Sequence, residues 1–383
     1  MTNRSSSILR DDDESIILTE PYLQNPTQKS VSIIWQTNKP AYGWVEYGKT
    51  NKFGLKSDMV IDGMRNANTT MHKIRLINLE SGSTYYYRVC FKPIVNIEPS
   101  KVDFADGVYS PTYSFKSLAA DNLPVSCVIF NDLHSKFPVF DSLCNALGDR
   151  DYQFTIFNGD CLPSLHSQDK VVETLTVYNK GVEAHSRPAL YIRGNQEIGG
   201  SLARDFKNMF DYPDNEFFFA ITAGPVRFIF LDCGSNNPDD HREDSALKDF
   251  IAYRDKQKEW LKQETKSAAF LKAKHRVLVH HIPLYNHNNT GVSIFSRTSW
   301  SSVLDSVPID VAISGHTHQY NFIPPKAEGN NYPVLIGGGL DLETATVMVL
   351  SATDKQLSVE TLNAKGEIVG KYEKHTSGAD YAD

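Results

Sequence analysis

Six short apolar runs between residues 125 and 314 each end in a polar residue, and this pattern constrains the fold more than anything else in the chain. Val125–Phe130 leads into Asn131-Asp132, Phe154–Phe157 into Asn158-Gly159-Asp160, and Ala189–Ile192 into Arg193-Gly194-Asn195. Arg227–Leu231 leads into Asp232-Cys233-Gly234, Arg276–Val279 into His280-His281, and Val311–Ile313 into Ser314-Gly315-His316. Runs this short and apolar read as buried strands. Helical stretches lie between some of them. The clearest is Asp244 to Lys272, where Phe250, Tyr253, Gln257, Trp260 and Leu261 recur at roughly helical spacing. Strand–helix alternation with polar residues at strand ends describes an α/β domain whose site lies along one sheet edge. The tail from Thr344 to Tyr372 alternates and is expected to close a sheet.

The first third follows a different pattern. Ser30–Thr37 and Gly43–Gly48 alternate on either side of a Lys39-Pro40 turn signal; Met71–Leu76, Thr84–Cys90 and Thr112–Lys116 follow. Short strands separated by turn signals predict an antiparallel β-sandwich over residues 15–117. Leu118–Pro124 reads as connecting chain (linker 118–123), and the α/β domain as residues 124–383. Leu79–Val89 resembles the E–F corner of fibronectin type III domains, with Tyr85 as the corner tyrosine and Trp35 in the core. Tyr85–Tyr87 is read as packing, not as a ligand platform.

The net charge is −7 with no block of lysine or arginine, which argues against nucleic acid and anionic membrane as partners. No apolar run approaches the ~20 residues of a membrane span. Residues 1–14 form a polar leader ending in Asp11-Asp12-Asp13-Glu14, without the apolar core of a signal peptide. The five cysteines are scattered and read as packed thiols rather than a disulfide framework.

Asp132-Leu133-His134, Gly159-Asp160, Gly194-Asn195, His280-His281 and Gly315-His316-Thr317-His318 supply oxygen and nitrogen donors in order along the chain. At an extended strand end residues i and i+2 point the same way, so Asp132 with His134, and His316 with His318, could face one site together. The glycines at 159, 194 and 315 would allow tight turns before each ligand. Carboxylate, amide oxygen and imidazole suit Mn, Fe or Zn, divalent or in mixed valence. Asp160 could bridge two ions through its two oxygens. Two ions ~3.5–4 Å apart clamp a phosphoryl group and bring the pKa of bound water to roughly 7.

The ordered set resembles the calcineurin-like metallophosphoesterase superfamily and, with the sandwich ahead of it, its purple acid phosphatase branch. The resemblance implies a four-layer αββα domain and a hydrolase of phosphate esters acting on a small phosphorylated substrate. It implies that Asp132, His134 and His318 hold one metal, that Asn195, His281 and His316 hold the other, and that Asp160 bridges. His281 is taken over His280 because His281-Ile282-Pro283-Leu284-Tyr285 matches the family's His-x-Pro-x-Tyr run; His280 reads as packed. His166, His185, His241 and His287 read as loop histidines. A sandwich before such a domain also resembles exported enzymes and favours a periplasmic or extracellular setting.

Two departures matter. Purple acid phosphatases carry a metal-bound tyrosine three residues past the bridging aspartate; here that position is Pro163, so no purple colour is expected. The family's Gly-Asn-His motif reads Gly194-Asn195-Gln196, and glutamine can donate a hydrogen bond but transfers no proton near neutral pH. Asn195, Gln196 and Asp160 are therefore the residues expected at the reacting phosphate, in a phosphomonoesterase without its usual acid. The alternatives are a phosphodiesterase, or a weakly catalytic module holding a phosphate or glycan. Glu197 reads either as support for a ligand or as a carboxylate at a helix N-terminus.

Overall fold

A computed structural model describes residues 17–163, 165–241, 247–376 and 380–382. The polar leader 1–14 lies outside them, as do residues 244–246 at the start of the expected helix.

All six apolar runs form strands, and they divide between two sheets. Ala189–Ile192, Phe154–Asn158 and Val125–Phe130 lie side by side and parallel, and the sheet continues antiparallel through Thr346–Ala352, Gln356–Asn363, Ile368–His375 and Asp380–Ala382. The tail thus closes a seven-stranded sheet. The second sheet has six strands in the order Phe219–Ala223, Val226–Phe230, His275–Val279, Val311–Ser314, Val334–Ile336 and Asn321–Ile323, the middle four parallel.

Side-chain alternation along each strand decides the layering. Phe154 meets Phe228 edge-on at 5.5 Å between the sheets, whereas Phe130 and Phe157, on the opposite face, pack on Phe140 and Tyr178. Those two rings belong to the helices Phe137–Leu147 and Gln168–Gly181. On the far side, Ile229, Leu278 and Ala312 pack with Leu261, Phe270, Trp300 and Leu304, so helices cover that face as well. The result is four layers, αββα. All parallel strands end at one edge, where their loops meet.

The long helix expected over Asp244–Lys272 is instead two helices, Phe250–Glu264 and Ala268–Lys272. Residues 247–249 are not helical. The first begins where Asp239, eleven residues upstream, accepts the free Phe250 and Ile251 amides at 3.0 and 2.8 Å. Ser267 caps the second by accepting the Phe270 amide at 3.1 Å, a competing local bond that ends helical continuity.

The N-terminal region is a β-structure over residues 17–116, with one departure from expectation. Lys39-Pro40 is not a turn: Val31–Gly48 is one strand of 18 residues, irregular between Gln36 and Ala41. Its first half pairs with Ile17–Gln24 and Thr69–Leu76, its second with Leu55–Asp58 and Thr84–Glu98. Proline, lacking an amide donor, is tolerated at such an irregularity. Trp35 is buried and stacks on His72 at 4.8 Å, and the Tyr85 hydroxyl accepts the Glu80 amide at 2.9 Å.

This region docks beside the strand Ala189–Ile192. The Leu23 amide donates to the Ala184 carbonyl at 2.8 Å, and the Tyr87 hydroxyl donates to that of His185 at 2.7 Å. The docking braces the beginning of a strand whose end delivers Asn195.

Candidate metal centre

The loops at the shared edge are joined by backbone bonds before any side chain is considered. The Asp132, His134 and Ser135 amides donate to the carbonyls of Gly159, Asp160 and Cys161 at 3.2, 2.9 and 3.2 Å, and Gly315 donates to His281 at 2.8 Å. Asp132, His134, Asp160, His316 and His318 all have φ between 45° and 71°. The expected reason for their convergence therefore needs correction. They face one site because each sits in the left-handed region, not because i and i+2 share a side of an extended strand. Non-glycine residues held there cost roughly 1–3 kcal/mol each, and such strain clusters at functional sites.

The glycines also act differently from expectation. Gly159 has φ of 81°, as a turn requires, but Gly194 and Gly315 are not in the positive-φ region. They are glycine for space: a Cβ on Gly315 would lie 2.5 Å from Asp132 Oδ2, and one on Gly194 would meet Asp160 Oδ1. Gly338, from the run Gly337-Gly338-Gly339, presses on Asp132 in the same way. The glycine run itself is the only sequence signal for this contact.

Two groups of donors result. The ligand atoms of Asp132, His134 and His318 lie within 4.8 Å of one another, as do those of Asp160, His281 and His316. Asp160 Oδ2 joins the groups, 3.1 Å from His281 Nε2 and 3.9 Å from His134 Nε2. The other oxygen, Oδ1, accepts the Gln196 amide at 2.7 Å. Contact with both groups thus runs through one oxygen, where one metal per oxygen was expected.

Tautomers and orphaned atoms test whether cations fit. His281 Nδ1 bonds the Asn158 carbonyl at 2.9 Å, which turns Nε2 inward, where it would ligate a bound cation once deprotonated. His134 Nε2 and Asn195 Oδ1 are buried and without a hydrogen-bond partner, which is costly unless something else satisfies them. Both belong to residues expected to be ligands, although other buried atoms, among them Trp35 Nε1 and His280 Nε2, are also without a partner. His280 points elsewhere, with Nδ1 on the Ile282 carbonyl at 2.8 Å; burial lowers its pKa to about 4.

The electrostatics agree. Burial, reinforced by Asp160, pushes Asp132 up to about 7, and the same two causes raise Glu197 to about 7. Burial alone would depress His281, but Asp160 and Asp132 raise it to about 10. Against its own burial, Asp160 is held near 2 by His281 and the Gln196 amide. Three buried carboxylates around imidazoles form a site complementary to cations.

Glu197 has a clear structural role. It is not at a helix N-terminus, since residues 194–201 are loop and turn. Its two oxygens accept four backbone amides, from Asp160, Cys161, Leu162 and Gly194, at 2.8–3.1 Å. It fastens the loop bearing Asp160 to the loop bearing Asn195. Arg193 extends the brace: Nε reaches Asp232 at 2.9 Å while the guanidinium lies 4.0 Å over the Phe217 ring. Asn236, which no sequence motif marks, places Nδ2 3.2 Å from His316 Nε2. Gln196 is exposed, and its side chain has no partner among the described residues.

With this geometry in place, the family models for calcineurin-like phosphoesterases and for the purple acid phosphatase N-terminal domain match residues 126–320 and 19–117. The chain belongs to the calcineurin-like phosphoesterase family. As a calcineurin-like phosphoesterase it is a hydrolase of phosphate esters, from a family that uses a dinuclear metal centre. Its fold is similar to a purple acid phosphatase from yellow lupin (Lupinus luteus) seeds, at 15% identity and a TM-score of 0.70, covering 93% of this chain and 74% of that one. It is also similar to PhoD, at 12% identity and a TM-score of 0.64, covering 97% and 93%. No curated protein sequence matches it. No helix among the described residues is long and apolar enough to cross a membrane.

Proposed function

We propose that this calcineurin-like phosphoesterase hydrolyses a small phosphomonoester at a centre of two divalent ions, Mn, Fe or Zn. Asp132, His134 and His318 would hold one ion, Asn195, His281 and His316 would hold the other, and Asp160, which faces both groups, would serve both. The observation that carries this reading is that Asp160 Oδ2 faces both donor groups while Oδ1 is tied to a backbone amide. When bound, two such ions supply Lewis-acid polarisation of the phosphoryl group and activation of the attacking water. The chain does the rest. Glu197 and the crossed backbone bonds fix the donor positions, and His281 is held in the tautomer that ligates.

Gln196 sits beside Asn195 with a free amide and can donate to a phosphoryl oxygen. It has no proton to give the departing oxygen, which takes one from solvent water instead. Pro163 offers no phenolate, so the loaded protein is colourless in the charge-transfer region. The domain order fits an exported enzyme, with the sandwich of residues 15–117 docked on a catalytic unit of residues 124–383. Asp160→Asn tests the assignment: metal analysis should find fewer than two ions per chain. Two tightly held ions in that variant would refute the bridge.

A further inference from the structure

Beside His316 a cavity of about 490 Å³ opens, lined by Asn286, Thr290, Gly291, Thr317, Gln319, Tyr320 and Asn321. Its size is in the range of small-molecule sites. Apart from the imidazole of His316, its lining is polar and uncharged. The walls are built rather than incidental. The Asn321 amide donates to Asn286 Oδ1 at 2.8 Å, and Asn286 Nδ2 donates to the Thr290 carbonyl at 2.9 Å. Asn286 is buried, so its amide orders the loop from below. That loop holds Asn288, Asn289 and Gly291 at φ of 53°, 53° and 58°, a left-handed path suited to asparagine and glycine that brings Gly291 against Thr317.

We propose that this cavity receives the leaving group of the substrate, and that this group is an uncharged polyol or sugar. The proposal rests on the phosphomonoesterase reading. A leaving group with its own charge would find no opposite charge among the cavity residues, and an alkyl chain would strip water from amides and hydroxyls without replacing those bonds. A polyhydroxyl group replaces them. Gln319 is exposed at the rim, two residues past Thr317 and one past His318, and its amide can both donate and accept. The carbonyl of Asn286 and the amide of Asn321, already paired with each other, keep one lone pair and one hydrogen for a hydroxyl.

Matched alkyl esters separate this preference from the missing acid at Gln196. Glycerol 3-phosphate and n-propyl phosphate both release an alkoxide of a three-carbon chain, and differ chiefly in two hydroxyls. The metal-loaded protein should hydrolyse p-nitrophenyl phosphate, and kcat/KM for glycerol 3-phosphate should exceed that for n-propyl phosphate by about 10-fold, one or two hydrogen bonds' worth. Phosphoserine, with its charged ammonium and carboxylate, should fall near or below n-propyl phosphate. Gln319→Ala, at an exposed position, should shrink the glycerol-to-propyl ratio by about 3-fold or more, and Asn321→Leu should do the same. Turnover of the aryl ester with equal kcat/KM for the two alkyl esters, or an unchanged ratio in both variants, overturns the cavity assignment and leaves the phosphoesterase reading standing. A protein carrying two metals that turns over none of these esters overturns both.

Discussion

At position 196 a single side chain separates binding from proton transfer. Gln196 contributes its backbone amide to Asp160 Oδ1 and leaves its side chain exposed, so replacing it with histidine need not disturb the donor groups. Gln196→His should raise turnover of alkyl phosphates, by up to about 10²-fold if a working acid is restored, and raise aryl phosphates much less. Steady-state kinetics on both ester classes check this, and equal effects would contradict it. Its neighbour Glu197 works through the backbone. In Glu197→Gln an NH₂ group replaces one oxygen that accepts two amides, leaving buried donors facing each other. Metal affinity measured by titration calorimetry should drop about 10- to 100-fold. The melting point should fall by the equivalent of about 2 kcal/mol. Unchanged affinity would show that the four amides do not position the ligands.

Among the elements, the loops carry more of the design than the strands do. Gly338 has φ of 105° and no room for a Cβ against Asp132. Gly338→Ala should therefore lower metal content while circular dichroism stays near that of the parent; full metal loading would refute the packing argument. The strands were legible because burial on both faces forces apolar runs, and the donors were legible because each such run stops at a polar residue. The way the donors converge was not. A left-handed φ at Asp132 or His318 is only weakly marked in residue type: aspartate and histidine enter that region more often than most residues, but the neighbouring loops decide which of them do. The continuous Val31–Gly48 strand was hidden for a related reason. Pro40 signals a turn locally, and only pairing with two different sets of strands carries the chain straight on. The helix start at Phe250 depends on a carboxylate eleven residues away, beyond any local capping pattern.

For the molecule as a whole, the N-terminal β-structure and the catalytic layers share hydrogen bonds across their junction, and acid should weaken the N-terminal side through one buried ring. His72 is buried between Trp35 and Thr37, and burial lowers its pKa from 6.5 to about 4. The folded state therefore favours the neutral ring. Its contribution is present above pH 6.5 and is lost as pH falls from 6.5 towards 4, by roughly 3 kcal/mol in all. Thermal unfolding at pH 7, 5.5 and 4 should show a shallower decline in His72→Gln than in the parent, and parallel declines would exclude His72 as the cause. The edge where both sheets end works only with metal bound, so metal stoichiometry should be measured together with p-nitrophenyl phosphate hydrolysis. A dimetal phosphoesterase centre requires two ions per chain, activity lost on chelation and activity restored by Mn, Fe or Zn. A protein shown to hold two ions and yet inert towards the aryl ester would contradict it.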